Sequence, residues 1–315
     1  MDIVFIDQNK WIDLGRVEAG KITSGALATL YEQLVEAVDR GSVIFPPTIS
    51  HILETSKRND PTSRSHVATA QARLSKGYVF RSRKARLLIE MRSALKRLFG
   101  EMPLLLPDNW AIVPGFMQAF ELFDQMVASP AEAERSRFLN QHIDPREQFL
   151  EYMLNQDDST RRAAHVAFAN ESAALVARIE ERRRLLTGET VDIRRRAYAA
   201  KLFLDHQGYV AHELESIGHT VEEMKGRGAE AIVIFLQNVP TLNVEAEMAA
   251  RLESKTGDIK QNDVRDMQSF YTAIPYAARI VAEKAFVSLA RQSKLDAQYK
   301  TSLSESLESL LGVYE

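Results

Sequence analysis

The sequence contains no cysteine among its 315 residues. This absence excludes disulfide bonds, a thiolate nucleophile and zinc sites built on sulfur. Seven histidines are present, and none of them belongs to an HExxH or comparable pair with metal-ligand spacing. A bound metal ion would therefore be held by oxygen atoms or by scattered histidines.

Long apolar runs are also missing. No stretch approaches the roughly 18 consecutive apolar residues that a membrane-spanning helix needs. The first residues enter a strand-like segment directly, without the basic region and cleavage site of a signal peptide. We therefore expect a cytoplasmic protein with no membrane partner. Hydrophobic residues make up 45% of the sequence and charged residues 26%, which is typical of a globular chain that can bury a large core.

The sequence has no strong charge of either sign and no fixed-period repeat. Its formal net charge is −3 at pH 7, so no overall basic character indicates binding to nucleic acid. Binding of a polyanion would need local basic surfaces. The lack of a repeat argues against a solenoid.

The two ends of the sequence have the pattern of an α/β protein. Short apolar runs predict strands at residues 2–6, 43–45, 279–282 and 299–303. Helices are predicted between and after them, at residues 10–19, 24–40, 48–57, 262–272, 284–293 and 305–311. We expect Thr48 and Asn262 to cap two of these helices. Alternation of strands and helices is typical of a parallel sheet.

The middle of the sequence, from about residue 60 to residue 228, instead has long charged helical stretches and no strand-like alternation. Helices are predicted at residues 64–76, 84–99, 115–127, 130–139, 145–154, 160–186 and 193–217, with two more at 230–235 and 244–252. The simplest interpretation is one α/β domain, residues 1–58 and 230–315, interrupted by a large all-helical insertion, residues 59–229.

Acidic residues stand where chemistry is expected in such a domain. Asp7 directly follows the first predicted strand, and Glu283 follows another strand in the same way. Glu54 lies in the helix after the second strand, and Asp263 and Asp266 share one face of the helix that follows the insertion. Parallel α/β proteins place their sites at the carboxyl ends of the strands. These five acids are therefore expected at one sheet edge, where their mutual repulsion would favour bound cations.

Each acid taken alone also has a plainer interpretation. Glu54 could be a solvated helix residue, and Glu283 could pair with the neighbouring Lys284. Asp263 and Asp266 could complement the positive end of a helix dipole.

Five segments resemble the acidic motifs of the PIN-domain nucleases, and more closely those of large bacterial PIN-like proteins with a helical insertion. They are residues 3–12, 52–55, 262–267, 273–277 and 280–284. The resemblance implies a three-layer α/β/α fold with a central parallel sheet, and Mg²⁺- or Mn²⁺-dependent endonucleolytic cleavage of RNA. It also allows a homodimer and a protein partner that regulates the nuclease as an antitoxin does.

The resemblance also assigns roles to particular residues. It places the acidic, metal-binding positions at Asp7, Glu54, Asp263 and Glu283, an accessory acid at Asp266, and a polar substrate-side residue at Asn9. In the family the last position is commonly Asp, so Glu283 is a longer side chain whose metal contact could be direct or through water.

Basic residues supply candidate contacts to the nucleic acid. Arg81, Arg83 and Lys84 begin a predicted helix of the insertion, close to the aromatic residues Tyr78 and Phe80. Lys284 is a further candidate phosphate contact. The plainer interpretation of Arg81, Arg83 and Lys84 is a solvated, charge-balanced helix face, and that of Lys284 is an ion pair with the adjacent acid.

Other functions remain open at this point. Asp7 after a strand and the string at residues 257–263 superficially resemble the first and last motifs of the haloacid dehalogenase superfamily of phosphatases. Against that, Asn9 stands where those enzymes have an acid/base Asp, and Gly257 and Asp258 follow no buried strand. A PIN-like deoxyribonuclease, a defence effector and an inactive PIN-like scaffold are further alternatives.

Overall fold

The computed structural model describes residues 1–155 and 157–315, and it gives a mixed α/β chain that is mostly helical. The chain forms two compact units. Unit 1 contains residues 1–82, 111–171 and 272–315, and unit 2 contains residues 83–110 and 172–271. Every strand among the described residues lies in unit 1.

The strands are β1 (Asp2–Ile6), β2 (Val43–Ile44), β3 (Tyr78–Phe80), β4 (Ile112–Pro114), β5 (Arg279–Val281) and β6 (Ser302–Ser304). The α-helices are α1 (Gln8–Glu18), α2 (Ala26–Asp39), α3 (Ile49–Ser56), α4 (Pro61–Ser75), α5 (Arg83–Leu98), α6 (Pro130–His142), α7 (Pro145–Leu154), α8 (Asp158–Leu185), α9 (Val191–Asp205), α10 (Gln207–Ser216), α11 (Val221–Gly226), α12 (Ala229–Gln237), α13 (Pro240–Ser254), α14 (Gln261–Ala273), α15 (Lys284–Gln292) and α16 (Leu295–Tyr299). Short 3-10 helices cover Phe116–Ala119 and Leu307–Leu310.

The main sheet of unit 1 has four parallel strands in the order β2-β1-β5-β6. The register places Ile3 opposite Ile44, and Phe5 opposite Ile280. Strands from the two ends of the sequence are therefore neighbours, which confirms the predicted parallel sheet. The carboxyl ends of β1, β2 and β5 all point to the same edge.

Both faces of β1 are covered, as expected for a central parallel strand. Val4 and Ile6 are buried in a core that also contains Trp11 of α1, residues of α2 and residues of α4. Successive side chains of a strand point to opposite faces, so Phe5 lies on the other face of β1. There its ring stacks on His51 of α3, with the ring centroids 5.1 Å apart.

Several helices of unit 1 begin at a residue whose side chain caps the helix. The Thr48 hydroxyl accepts a hydrogen bond from the backbone N–H of His51, which confirms the predicted cap of α3. Asp60, Ser129 and Asp144 cap α4, α6 and α7 in the same way, each immediately before a proline. Proline fits the first helical position because its missing N–H would have no partner there.

The middle of the chain contains a strand pair where only helices were predicted. Strands β3 and β4 pair antiparallel, with Val79 opposite Val113. Three-residue strands are too short to give a recognisable alternation of apolar residues, so the prediction of an all-helical middle was wrong.

The helix predicted at residues 115–127 is also not formed as such. Gly115 has φ +91°, and only the short 3-10 helix follows it. The buried carboxylate of Asp124 instead accepts hydrogen bonds from the Arg81 side chain and from both the backbone N–H and the hydroxyl of Ser82. These tertiary bonds hold the segment in an irregular conformation.

The boundary between the two units differs from the predicted one. Residues 59–82 and 111–171 belong to unit 1, where α4 packs against α1 and α7. Residues 230–271 belong to unit 2, where α12 and α13 pack against α5 and α13 packs against α9. Composition alone does not reveal such packing, because charged helices occur in both units.

The helices of unit 2 enclose ion pairs. Glu245 of α13 is 5% exposed and accepts hydrogen bonds from the Arg83 guanidinium at 2.7 Å and the Tyr198 hydroxyl at 3.1 Å. Glu253, 1% exposed, is bound by the Nε of Arg182 at 2.8 Å. Buried carboxylates need such partners, since an unpaired buried charge is costly.

Two helix boundaries in unit 2 also differ from the prediction. The helix expected at residues 193–217 is divided at His206 into α9 and α10. Asn262 lies inside α14, which already begins at Gln261, so it is not the cap. Across the described residues 1–155 and 157–315, none of the helices combines the length and the apolar character that crossing a membrane requires.

Candidate active site

Asp7 marks the carboxyl end of β1 at the centre of the sheet. Its backbone N–H donates to the carbonyl oxygen of Val281 on β5 at 2.9 Å, so the parallel ladder fixes its position. Its side-chain Oδ1 accepts a hydrogen bond from the backbone N–H of Gln8 at 2.6 Å and caps α1. The acid is thus held by both main chain and side chain at the point where strand becomes helix.

The pKa of the Asp7 carboxyl is raised from 3.8 to about 6. Burial is the largest cause, and the negative charges of Glu283 and Glu54 raise the pKa further. The bond from Gln8 N–H and the charge of Lys10 act in the opposite direction. The fold therefore brings Glu54 and Glu283 within electrostatic range of Asp7.

Glu283 stands two residues after β5 at the N-cap of α15, and its side chain makes no capping bond. Its Oε1 instead accepts a hydrogen bond of 2.5 Å from the Nδ2 of Asn9 on α1. Lys284 is exposed, and within the described part of the chain it forms no ion pair with Glu283. The partner of Glu283 is therefore Asn9, and the plainer interpretation, an ion pair with Lys284, is wrong.

Glu54 lies in the last turns of α3, half-buried. The helix is anchored at its start by the capping box of Thr48 and His51. Burial lowers the pKa of His51 to about 3, so this histidine is neutral and serves as a packing and capping residue. Its contacts with Phe5 and Thr48 hold α3 beside β1.

Asp263 and Asp266 are half-buried residues of α14 and belong to unit 2, whereas the other three acids belong to unit 1. The side chain of Asp263 accepts a hydrogen bond of 2.8 Å from the backbone N–H of Lys260 at the start of the helix. This bond matches the plainer interpretation of Asp263 as an acid that complements a helix N-terminus. Their participation in an acidic centre remains a prediction.

The predicted basic contacts are engaged within their own units. Arg81 binds the fully buried Asp124 at 3.1 Å in unit 1. In unit 2 Arg83 binds Glu245, and the ammonium of Lys84 lies 5.8 Å from the ring centre of Tyr209. These contacts give Arg81 and Arg83 a structural role that the charge pattern did not predict.

Unit 1 contains a cleft of about 920 Å³ that has Glu54 in its wall, together with Gln8 and Asn9, the two residues that follow Asp7. It is lined by residues of α1, of α3 and the loop after it, of α4 and of α8: Gln8, Asn9, Ile12, Glu54, Ser56, Lys57, Arg58, Asn59, Arg64, Asp158, Arg161, Arg162 and His165. Five of these residues are lysine or arginine and two are acidic. The sequence did not single out these cations, because they come from three separate segments with no common motif.

The acidic residues do not form a closed ligand cage. Among residues 1–155 and 157–315, no group of three or more histidine, aspartate or glutamate side chains stands close enough together to hold a metal ion. The charges of Glu54 and Glu283 each act on Asp7, while Asn9 donates a hydrogen bond to one oxygen of Glu283.

The residues that suggested a haloacid dehalogenase-like phosphatase have a different setting. Gly257 and Asp258 are exposed in the loop after α13, so no strand precedes them. Comparison of the chain with family models, with curated proteins and with solved structures found no match.

Proposed function

We propose that the protein is a metal-dependent endoribonuclease, that unit 1 is a PIN-like domain, and that Asp7 is the central residue of its active site. The observation that carries this proposal is the electrostatic grouping of Asp7 with Glu54 and Glu283 at the carboxyl edge of a parallel sheet. Three carboxylates at such an edge are difficult to explain by stability, because their mutual repulsion disfavours ionisation of Asp7.

The donor set is suited to a hard divalent cation. Mg²⁺ and Mn²⁺ prefer oxygen ligands, and carboxylates are the strongest of these in proteins. A cation beside Asp7 would reverse the effect of its two acidic neighbours and favour the ionised form. Asp7, Glu54 and Glu283 would hold the cation once their side chains moved closer together than they stand in this structure. When bound, it would lower the pKa of a water molecule and neutralise charge on a phosphate group.

The protein groups around Asp7 restrict how the acids are presented. The ladder bond to Val281 and the bond from Gln8 fix the Asp7 carboxylate at the strand end. Asn9 orients Glu283 through a bond between α1 and the start of α15. Such supporting hydrogen bonds position metal-binding carboxylates and tune their affinity.

A panel of substrates tests the proposed function. Purified protein is incubated with labelled single-stranded RNA, single-stranded DNA, duplex DNA and a small aryl phosphate, each with Mn²⁺ or with EDTA. The proposal predicts internal cleavage of RNA in Mn²⁺ and none in EDTA. Cleavage of DNA alone would favour the deoxyribonuclease alternative, and turnover of the aryl phosphate alone would favour a phosphatase. No reaction with any substrate would favour an inactive scaffold.

A further inference from the structure

The cleft beside Glu54 contains two kinds of cation. Arg64 and Arg161 are buried and bind main-chain oxygens: Arg64 binds the carbonyl of Arg58 at 2.5 Å and that of Met153 at 2.8 Å, and Arg161 binds the carbonyl of Ser56 at 3.2 Å. Carbonyls at a helix C-terminus lack partners within the helix. Arg64 and Arg161 therefore fix the end of α3 and the loop that follows it.

The other cations keep most of their hydrogen-bonding capacity. Lys57 is exposed, and the Arg162 side chain is 75% exposed with only a 3.8 Å contact to Asp158. Arg58 donates from Nη1 to the hydroxyl of Ser63, while its Nε has no hydrogen-bond partner in the described structure. These three residues can bind an anion without first giving up a strong ion pair.

Arg58 is coupled to the acidic centre. It follows Glu54 by four residues, and its charge interacts with that of Glu54. Burial lowers the pKa of Arg58, the charge of Glu54 opposes this effect, and the charge of Arg16 adds to it, so the guanidinium is partly desolvated and has a second cation nearby. An anion that replaced the lost hydration would be bound more strongly there than at an open surface.

A second unsatisfied group belongs to the same cleft. Gln8 is 9% exposed, and its Nε2 donates to the hydroxyl of Thr55 at 3.1 Å. Its Oε1 has no hydrogen-bond partner in the described structure. Buried polar atoms are nearly always satisfied, and an exception calls for a partner such as a water or a ligand.

We propose that this cleft binds the phosphate groups of a single nucleic-acid strand beside the acidic centre, with Arg58, Lys57 and Arg162 as the phosphate contacts and Arg64 and Arg161 as positioning residues. The inference rests on the proposed function, since that function defines which strand enters. A cationic groove of this kind follows the backbone without reading the bases. A volume of about 920 Å³ lies near the upper end of the range of about 300–1,000 Å³ for ligand sites. This space accommodates a short flexible segment of one strand.

Binding measured in EDTA tests the inference without cleavage. The probe is a fluorescently labelled single-stranded RNA, and the variant is Arg58→Gln combined with Arg162→Gln. We expect its Kd to rise by about 10-fold or more. The slope of the logarithm of the binding constant against the logarithm of the salt concentration should become shallower by about 1.4, because two phosphate contacts are lost. The matched control is Arg135→Gln with Arg137→Gln, two exposed arginines of α6 in the same unit that do not line the cleft. The control should bind as the unchanged protein does.

Additional variants distinguish a loss of binding from misfolding, and they separate this inference from the nuclease proposal. Lys57→Gln with Arg162→Gln changes only exposed side chains and should also weaken binding, and Arg58→Lys should retain most of it. Equal affinity of the cleft variants and the control would overturn the inference, even if the protein cleaves RNA. Loss of binding in the cleft variants alone would support it, even if no cleavage is found. Equally tight binding of a duplex, with the same sensitivity to the variants, would overturn the single-strand part.

Discussion

Asn9 and Glu283 are joined by a hydrogen bond of 2.5 Å although 274 positions separate them in the sequence. Asn9 lies on α1 just beyond β1, and Glu283 is the N-cap of α15 just beyond β5. Because β1 and β5 are parallel neighbours, the two residues that follow their ends meet at one edge. This bond lies beside Asp7 and connects a residue near the start of the chain with one near its end.

Replacing Asn9 with alanine tests whether that bond supports function. Both side chains are exposed, so we expect little change in the thermal unfolding midpoint. Loss of a supporting partner of a metal-binding carboxylate typically costs about 10–100-fold in metal affinity or activity. RNA cleavage by Asn9→Ala should fall within this range, with partial recovery at high Mn²⁺. An unchanged rate would show that Glu283 does not depend on Asn9.

Asp7 should make the stability of the fold depend on pH. The folded pKa of Asp7 is about 6 and the ordinary value is 3.8. Between these two values the folded protein keeps a proton that the unfolded chain has released, so this group makes stability fall as pH rises. Above about pH 6 the ionised carboxylate destabilises the fold to its full extent. At pH below both values the contribution disappears.

Asp7→Asn should remove that contribution. Asparagine also caps helices well, so the cap of α1 is kept. In EDTA we expect the variant to be more stable than the unchanged protein above about pH 6, and equally stable near about pH 3 to 4. Denaturant unfolding across this pH range measures the difference. If the free energy of unfolding of the two proteins changed with pH in the same way, the raised pKa of Asp7 would be contradicted.

Arg81 should contribute more to stability than to RNA binding. It is the ion-pair partner of Asp124, whose side chain is fully buried. Removing one member of a buried pair typically costs about 3–5 kcal/mol, because the other charge is left without its partner. Arg81→Gln should lower the free energy of unfolding markedly, whereas the exposed Arg162→Gln should not. If Arg81→Gln instead keeps the stability of the unchanged protein but binds RNA more weakly, the RNA contact predicted from the charge pattern would be supported.

Gly77 tests the packing around β3. It has φ +76°, and a Cβ atom there would lie 2.5 Å from the carbonyl carbon of Pro145. Gly41 has nearly the same φ, +75°, and no atom within 4 Å of the same position. The backbone strain of an alanine is therefore similar at both sites, and only Gly77→Ala adds a clash. We expect Gly77→Ala to lose about 1–3 kcal/mol more stability than Gly41→Ala. Equal losses would contradict the close approach of Pro145.

The features that were predicted correctly have strong local signals. A run of four apolar residues followed by Asp7 indicates a buried strand with an acid at its end, and Thr48 after two prolines indicates a helix start. A parallel sheet that includes strands from both ends of the chain followed from the alternation of strands and helices. These patterns also predicted the sheet edge at which Asp7 lies, near the charges of Glu54 and Glu283.

The features that were missed depend on tertiary contacts. Strands β3 and β4 have three residues each, and their pairing across the intervening residues 81–111 leaves no periodic pattern. The cleft needs α8 to lie beside the end of α3, so Arg58 and Arg162 have no shared motif. The charge pattern also could not distinguish Arg81, which binds a buried acid, from Arg162, which faces solvent.

The central claim is that Asp7 belongs to a metal-dependent nuclease centre. The most direct measurement is the rate of cleavage of single-stranded RNA in Mn²⁺ by the unchanged protein, by Asp7→Asn and by Asp13→Asn. Asp13 lies on the same helix α1 and forms only an exposed pair with Arg16, so its variant makes the same chemical change outside the centre. We predict that Asp7→Asn falls to the rate seen in EDTA, and that Asp13→Asn cleaves as the unchanged protein does. Undiminished cleavage by Asp7→Asn, or cleavage that persists in EDTA, would contradict the claim.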